Sequence, residues 1–248
     1  MIYNILNGDS LAFSFPYEEI EGETIVMREA LIDGNLSGDN FPDFFHTRAN
    51  YLQITHEEYN NAVVMELKKI LNAGDNAEFN LWFEYDLFCQ VNMWFLISLI
   101  HNLSIRKKVF AVYTTYLDKS SNQFWNGFGM ANKKELIICA NNKLELTGMD
   151  LAFGQDLWLH YKNNNLDELR RQSKIAPVAF PYLEEVVKAH IDRFPNAGGM
   201  GRPEKVITEI TQNVSKDFDT VFREFWRREN IYGFGDTQLR KIYDRVIK

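Results

Sequence analysis

Glu84 and Asp86 are the two side chains whose type and spacing best suit chemistry in this chain. They follow an apolar run, Phe79-Asn80-Leu81-Trp82-Phe83, that reads as a strand buried on both faces of a sheet. Side chains two apart on a strand point to the same side. In an open α/β sheet, ligands bind at the carboxyl ends of the strands. Asp86 also has an ordinary reading: it stands just before an apolar helical stretch, 87–103, and makes a normal N-cap, contributing about 1 kcal/mol. Glu84 has no such reading. A carboxylate at the end of a buried strand needs a partner, because an unpaired buried charge is costly.

Other strand ends supply candidates for that partner. A first strand, 2–6, runs into Asn7-Gly8-Asp9-Ser10, a turn in which Gly8 permits positive φ and Asp9 or Ser10 can cap a helix. Such a turn can also set backbone N–H groups and a carboxylate beside a ligand. It matches neither G-x-G-x-x-G nor a P-loop. Arg28-Glu29 closes a second strand, 23–27, and Arg48 lies on the next helix. Arginine is the usual partner of a buried carboxylate or a phosphate. If these ends converge, Asp9, Glu29, Glu84 and Asp86 face Arg28 and Arg48, with more acid than base. That surplus can hold a divalent metal or a cationic group, or be relieved by protonating one acid. The assignment expected is Asp9, Glu84 and Asp86 as catalytic and metal-holding residues, with Mg²⁺ or Mn²⁺ as the ion. Ser10, Arg28, Glu29, Arg48 and Gln90 surround the ligand. The alternative is internal ion pairing with no site.

Other searches return nothing. The five histidines show no metal-ligand spacing, and there is no G-x-S-x-G elbow. Cys89 falls in the first helical turn after Asp86, where a thiol can be activated, but a buried structural thiol is the plainer reading.

The elements that must position these residues alternate between strand and helix. After strands 2–6 and 23–27 come helices over 44–52 and 56–71, then the central strand, the helix 87–103 and a further strand 107–113. That order predicts a Rossmann-like, mainly parallel sheet. The stretch 123–130 is aromatic and glycine-containing and reads as a packed loop. Beyond it the patterns are helical, over 133–140, 147–161, 166–172 and 180–194. Pro195-Asn196-Ala197-Gly198-Gly199-Met200-Gly201 is the best linker, and helices over 203–211, 218–228 and 237–247 follow it. The expected organisation is an α/β domain over 1–118, a helical region over 119–195, and a small helix-turn-helix or winged-helix-like module over 196–248. That module is expected to dock through Trp226 or Phe234 and yet be separable at Pro195.

Composition narrows the setting. Of 248 residues, 46% are hydrophobic and 14% aromatic, which excludes a disordered chain. Two cysteines without metal or redox spacing fit a reducing cytosol, so a cytoplasmic protein is expected. The opening MIYNILNGDS lacks a basic start, so no signal peptide is expected, and no apolar run is long enough to span a membrane. Net charge is −7, but the first hundred residues hold 16 acids against 4 bases. That half would repel nucleic acid, whereas Arg240, Lys241 and Arg245 near the end could face phosphate.

The same stretches resemble a bacterial family of no established activity, domain of unknown function 1835. Its members begin with a strand and a G-D-S turn, as at Gly8-Asp9-Ser10. They carry a W-R-E-A-L-like element, matched by Met27-Arg28-Glu29-Ala30-Leu31 with methionine for tryptophan. Their W-F-E-H-D-L-F-D-Q motif is matched by Trp82 to Gln90, with Tyr85 for histidine and Cys89 for aspartate. Gly127-Phe128-Gly129-Met130 corresponds loosely to a G-L-G-Q element, and Gly235-Asp236 to a G-D near the last helix. The resemblance implies that Asp9, Arg28, Glu29, Glu84 and Asp86 belong to one site. It carries over no reaction.

Two functions follow as expectations. One is an enzyme or binder of a small molecule in an acid-rich pocket at the strand ends, performing metal-assisted phosphoryl or ester chemistry or binding a nucleotide. The other is a regulatory protein whose C-terminal helices bind nucleic acid or a partner, with the N-terminal domain as sensor.

Overall fold

The computed structural model describes residues 1–121, 123–195 and 199–247. Its centre is one sheet built from β1 (Ile2–Asn7), β2 (Glu23–Met27), β3 (Ala77–Trp82), β4 (Lys107–Val112) and β5 (Leu144–Glu145), in the order β2-β1-β3-β4-β5. The first four strands are parallel to one another, and β5 joins β4 antiparallel. These four match the strands expected from apolar runs. The two residues of β5 are too few to show a period, and the strand was not anticipated.

Helices cover both faces of the sheet. After β1 comes α1 (Asp9–Ser14), and after β2 come α2 (Phe41–Leu52), α3 (His56–Tyr59) and α4 (Met65–Leu71). The π-helical turn Asn60–Val64 joins α3 to α4, so the expected helix over 56–71 is continuous but locally widened. Next is α5 (Leu87–His101), capped by Asp86 as its sequence suggests and buried on almost every side. It lies between the sheet and α7 (Gly148–Lys162), which follows α6 (Lys133–Asn141). Then come α8 (Leu166–Ser173), α9 (Leu183–Asp192), α10 (Arg202–Asn213), α11 (Phe218–Glu229) and α12 (Asp236–Val246).

Strand side chains alternate between two cores, as period-two geometry requires. Ile5, Phe79, Leu81 and Val109 join the larger core with α5, α7 and α9, while Leu6, Trp82 and Val112 join a smaller one with Leu11, Phe15, Phe128 and Leu136. The larger core does not stop at the three segments read from composition. Ile207, Ile210, Val221, Phe225, Phe234 and Leu239 of the last fifty residues belong to it. Phe234 is buried against the rest of the chain as expected, whereas Trp226 is only half-buried. Asn196, Ala197 and Gly198 of the glycine-rich boundary lie outside the described residues. Among the described residues no helix is long and apolar enough to cross a membrane.

Candidate functional site

The chain leaves β1 for β2 on one side and later returns to lay β3 on the other. Where strand order reverses, the connections part and leave a crevice at the carboxyl ends, the usual ligand position in such sheets. A cavity of about 130 Å³ occupies this place, lined by Asn7, Ser10, Trp82, Glu84, Asn126 and Phe128, among others. Larger hollows exist elsewhere. One of about 600 Å³ between α2, α5 and α7 is lined mainly by apolar side chains such as Phe44, Phe95 and Trp158, and holds no cluster of titratable groups.

Each wall of the small cavity has a local cause. Gly8, at φ +90°, turns the chain out of β1 and leaves Asn7 at the strand's end. Asn7 is fixed by Asn92 of α5, whose Nδ2 donates to Asn7 Oδ1 at 2.9 Å and to the Glu29 carbonyl at 2.7 Å. Glu84 follows β3 and is held from behind by Gln90, whose Nε2 donates to the Glu84 carbonyl at 2.8 Å. The far wall comes from the 3₁₀ turns Phe124–Asn126 and Phe128–Met130. Their backbone reaches the acid: the N–H of Phe128 donates to Glu84 Oε1 at 2.5 Å and that of Gly129 at 3.3 Å.

Among the described residues the acid itself has no cationic partner. There Glu84 Oε2 accepts only from the Cys89 thiol, at 3.3 Å, and Asn7 Nδ2 donates to the same sulfur at 3.0 Å. Burial therefore raises the Glu84 carboxyl above its ordinary range, against the lowering effect of the Cys89, Phe128 and Gly129 hydrogen bonds. Asp86 sits beside it, fully buried. Its Oδ1 caps α5 by accepting from Cys89 N–H at 3.0 Å, and its Oδ2 has no hydrogen-bond partner. Burial first, and the Glu84 charge second, push the Asp86 carboxyl up to about 7. The Cys89 thiol is pushed well up by burial and by both carboxyls. Ligand atoms of Glu84, Asp86 and Cys89 all lie within 4.8 Å of one another.

The roof over Asp86 is Gly233, at φ +62°. A Cβ there would fall 1.9 Å from Asp86 Oδ1, so no larger residue fits without displacement. Asp86 is thus sealed beneath the C-terminal segment, while Glu84 remains partly open to the cavity.

The residues expected to converge divide into separate groups. Ser10 and Glu84 line the cavity. Gln90 supports Glu84 from behind. Asp9 stands on the surface, 69% exposed in its side chain, and is engaged by Arg28 Nε at 2.8 Å. It therefore does not join Glu84 and Asp86 as a third oxygen ligand for Mg²⁺ or Mn²⁺. Glu29 and Arg48 form a buried ion pair at 2.8 Å, which Tyr59 OH extends by donating to Glu29 at 2.7 Å. The supposed excess of four acids over two arginines resolves into two internal pairs and one acid pair without a cation. That arrangement follows from reach: Arg48 on α2 faces the loop after β2, and Arg28 spans from Asp9 at the start of α1 to the Ala62 carbonyl.

Asn7, Asn92, Asn126 and the backbone of residues 128–129 were not singled out by residue type. An amide side chain has no period or spacing that marks it as a site residue. The only hint was the glycine-bearing Gly127-Phe128-Gly129 stretch, where the backbone can approach another group closely. The C-terminal cations are exposed, and each contacts another side chain of the protein. Arg240 stacks 3.3 Å above the Phe218 ring, Lys241 donates to Tyr51 OH, and Arg245 pairs with Glu204. No protein-family model matches the chain, and neither a curated protein nor a solved structure shows significant similarity to it.

Proposed function

We propose that the chain binds a small polar molecule in the crevice between β1 and β3 and acts on it by acid–base chemistry, with Glu84 exchanging the proton. One observation carries this: a half-buried carboxyl, lacking a cationic partner among the described residues and held by two backbone N–H groups, lines a cavity at the point where strand order reverses. A carboxyl raised by burial keeps its proton to higher pH than a solvated carboxylate does, which suits it to give that proton up in a reaction. The cavity, at about 130 Å³, is the size of a phosphoryl or acyl group rather than a whole nucleotide. Hydrolysis or transfer at an ester or phosphoryl group is the reaction class that suits this volume and a single proton-exchanging acid. Ser10 at the rim and Asn126, whose buried Oδ1 has no hydrogen-bond partner, would orient the molecule.

The test uses metal-free protein and two generic probes, p-nitrophenyl acetate and p-nitrophenyl phosphate. Turnover above buffer is expected for one of them, with a pH profile that follows the Glu84 carboxyl observed by ¹³C NMR. Glu84→Gln should abolish both the turnover and the titration. A Glu84→Gln protein with unchanged rate and unchanged pH profile would overturn the proposal. The regulatory reading rests on Arg240, Lys241 and Arg245, which are exposed but each also contact another side chain, Phe218, Tyr51 and Glu204 respectively.

A further inference from the structure

We propose that Glu84, Asp86 and Cys89 form a binding site for a thiolate-accepting divalent cation, Zn²⁺ above all, in the wall of the same crevice. This goes beyond the acid–base reading, because an ion held by Glu84 takes the place of the proton it would exchange, and it rests on that crevice being the ligand site.

Three observations converge. The first is the ligand set: two carboxyl oxygens and one sulfur within 4.8 Å of one another, in the spacing E-x-D-x-x-C. Bond lengths of about 2.0–2.3 Å place tetrahedral Zn²⁺ ligands about 3.5 Å apart, so closing the set needs a contraction of at most about 1.3 Å on its longest edge. The second is an orphan: Asp86 Oδ2 is buried in a fully buried side chain and accepts no hydrogen bond. A buried acceptor with no donor is destabilising, and a cation would satisfy it. The third is the surrounding support. Asn7 Nδ2 points at Sγ, and the N–H groups of Phe128 and Gly129 point at Glu84 Oε1. Hydrogen bonds of this kind orient the residues that hold a metal.

The choice of ion follows from the sulfur. Mg²⁺ and Mn²⁺ prefer oxygen donors, and Asp9, the third oxygen they would need, is taken by Arg28. A thiolate selects a softer ion. Three protein ligands leave a fourth position, the pattern of reactive rather than purely structural zinc sites, and of the three Glu84 lines the cavity. Binding displaces the Cys89 thiol proton, now donated to Glu84 Oε2, and any proton held by Glu84 or Asp86, so uptake of the cation releases protons to solvent.

The test titrates the full-length protein with Zn²⁺ alone, then with Co²⁺, and uses Mg²⁺ as a control. Zn²⁺ at about a hundredfold over its dissociation constant should raise Tm by about 5–10 °C, and Mg²⁺ should not. Co²⁺ should give a thiolate-to-metal charge-transfer absorption. Cys89→Ser keeps the size and helix position of the side chain and should remove that absorption and weaken Zn²⁺ binding more than about tenfold. Glu84→Gln should weaken Zn²⁺ as well. Melting without metal shows whether each variant is folded. Exposed His46 and His56, with ring centroids 4.3 Å apart, offer Zn²⁺ a second landing place, so His56→Ala is titrated alongside. Undiminished Zn²⁺ affinity in Cys89→Ser, or no thiolate absorption with Co²⁺, overturns the cation site. If Zn²⁺ fails while Glu84 still titrates high in metal-free protein, only the cation falls. If Glu84 titrates as an ordinary carboxylate, the acid–base reading falls whatever Zn²⁺ does.

Discussion

Replacing Arg48 by methionine should be the most damaging single change near the crevice, although Arg48 does not touch it. The guanidinium is fully buried and binds Glu29 through Nη2 at 2.8 Å and Nε at 3.1 Å. It also donates to the carbonyls of Ala30, Asp33 and Asn35, so one side chain ties the loop after β2 into place. Methionine keeps the unbranched apolar stem, ends short of the guanidinium, and removes every one of these bonds. Glu29 then retains only Tyr59 OH and the Ala30 N–H, inside a site that excludes water. Removing one partner of a buried ion pair costs about 3–5 kcal/mol, a large part of the roughly 5–15 kcal/mol that holds most folded proteins together. At about 2–4 °C per kcal/mol for a chain of this length, Tm should fall by roughly 6–20 °C. The effect should also reach the crevice, because the Glu29 carbonyl anchors Asn92, and Asn92 fixes Asn7. Urea unfolding of Arg48→Met, Glu29→Met and the double variant measures the coupling. The double variant should be more stable than Arg48→Met, since no lone charge remains buried. A single-variant cost below about 1 kcal/mol, or a double variant whose cost is the sum of the singles, would refute the argument. Arg28→Ala, by contrast, breaks a solvent-exposed pair and should cost no more than about 1 kcal/mol.

Further outcomes follow from the buried groups and the roof. The Asp86 carboxyl is raised to about 7, so its contribution to stability is complete below its ordinary 3.8 and is lost as pH rises through 7. Glu84, also raised, acts in the same direction. His190 is lowered to about 3 by burial and then by Arg193, and both its ring nitrogens lack partners, so its contribution is complete above its ordinary 6.5 and lost as pH falls. Each proton changes stability by about 1.4 kcal/mol per pH unit where the two states differ. In urea unfolding across that overlap, Asp86→Asn should make the protein lose more stability in acid and His190→Phe less; changes of the same sign in both would refute the assignment. Gly233→Ala places a Cβ on Asp86 and forces an unfavourable φ, so it should cost more than about 1 kcal/mol, measured by thermal melting. A chain ending at Pro195 loses Ile207, Ile210, Val221, Phe225, Phe234 and Leu239 from the common core and uncovers Asp86, so it should no longer unfold cooperatively; a sharp calorimetric transition from that fragment would show the last helices to be an independent unit.

Periodicity and cap chemistry act within a few residues, and on that scale the amino-acid order is decisive. The four apolar runs that became β1 to β4, the capping role of Asp86, the turn at Gly8 and the placing of Glu84 just past a buried strand were all legible, because each depends on near neighbours. β5 was not, since two residues show no alternation and pair only because β4 offers an open edge. Partner choice was not legible either. Whether Arg28 and Arg48 would face the acids of a crevice or take one acid each depends on where α1 and α2 sit against the sheet, and neither helix records that in its own spacing. The amides that wall the cavity and the Phe128 and Gly129 N–H groups that hold Glu84 are contributed from across the fold. So is Gly233, which covers Asp86 from more than a hundred residues away in the chain. A carboxyl becomes a site or an ordinary cap according to what is packed around it, and only tertiary contact, by removing water and withholding a cation, gave Glu84 and Asp86 their unusual state.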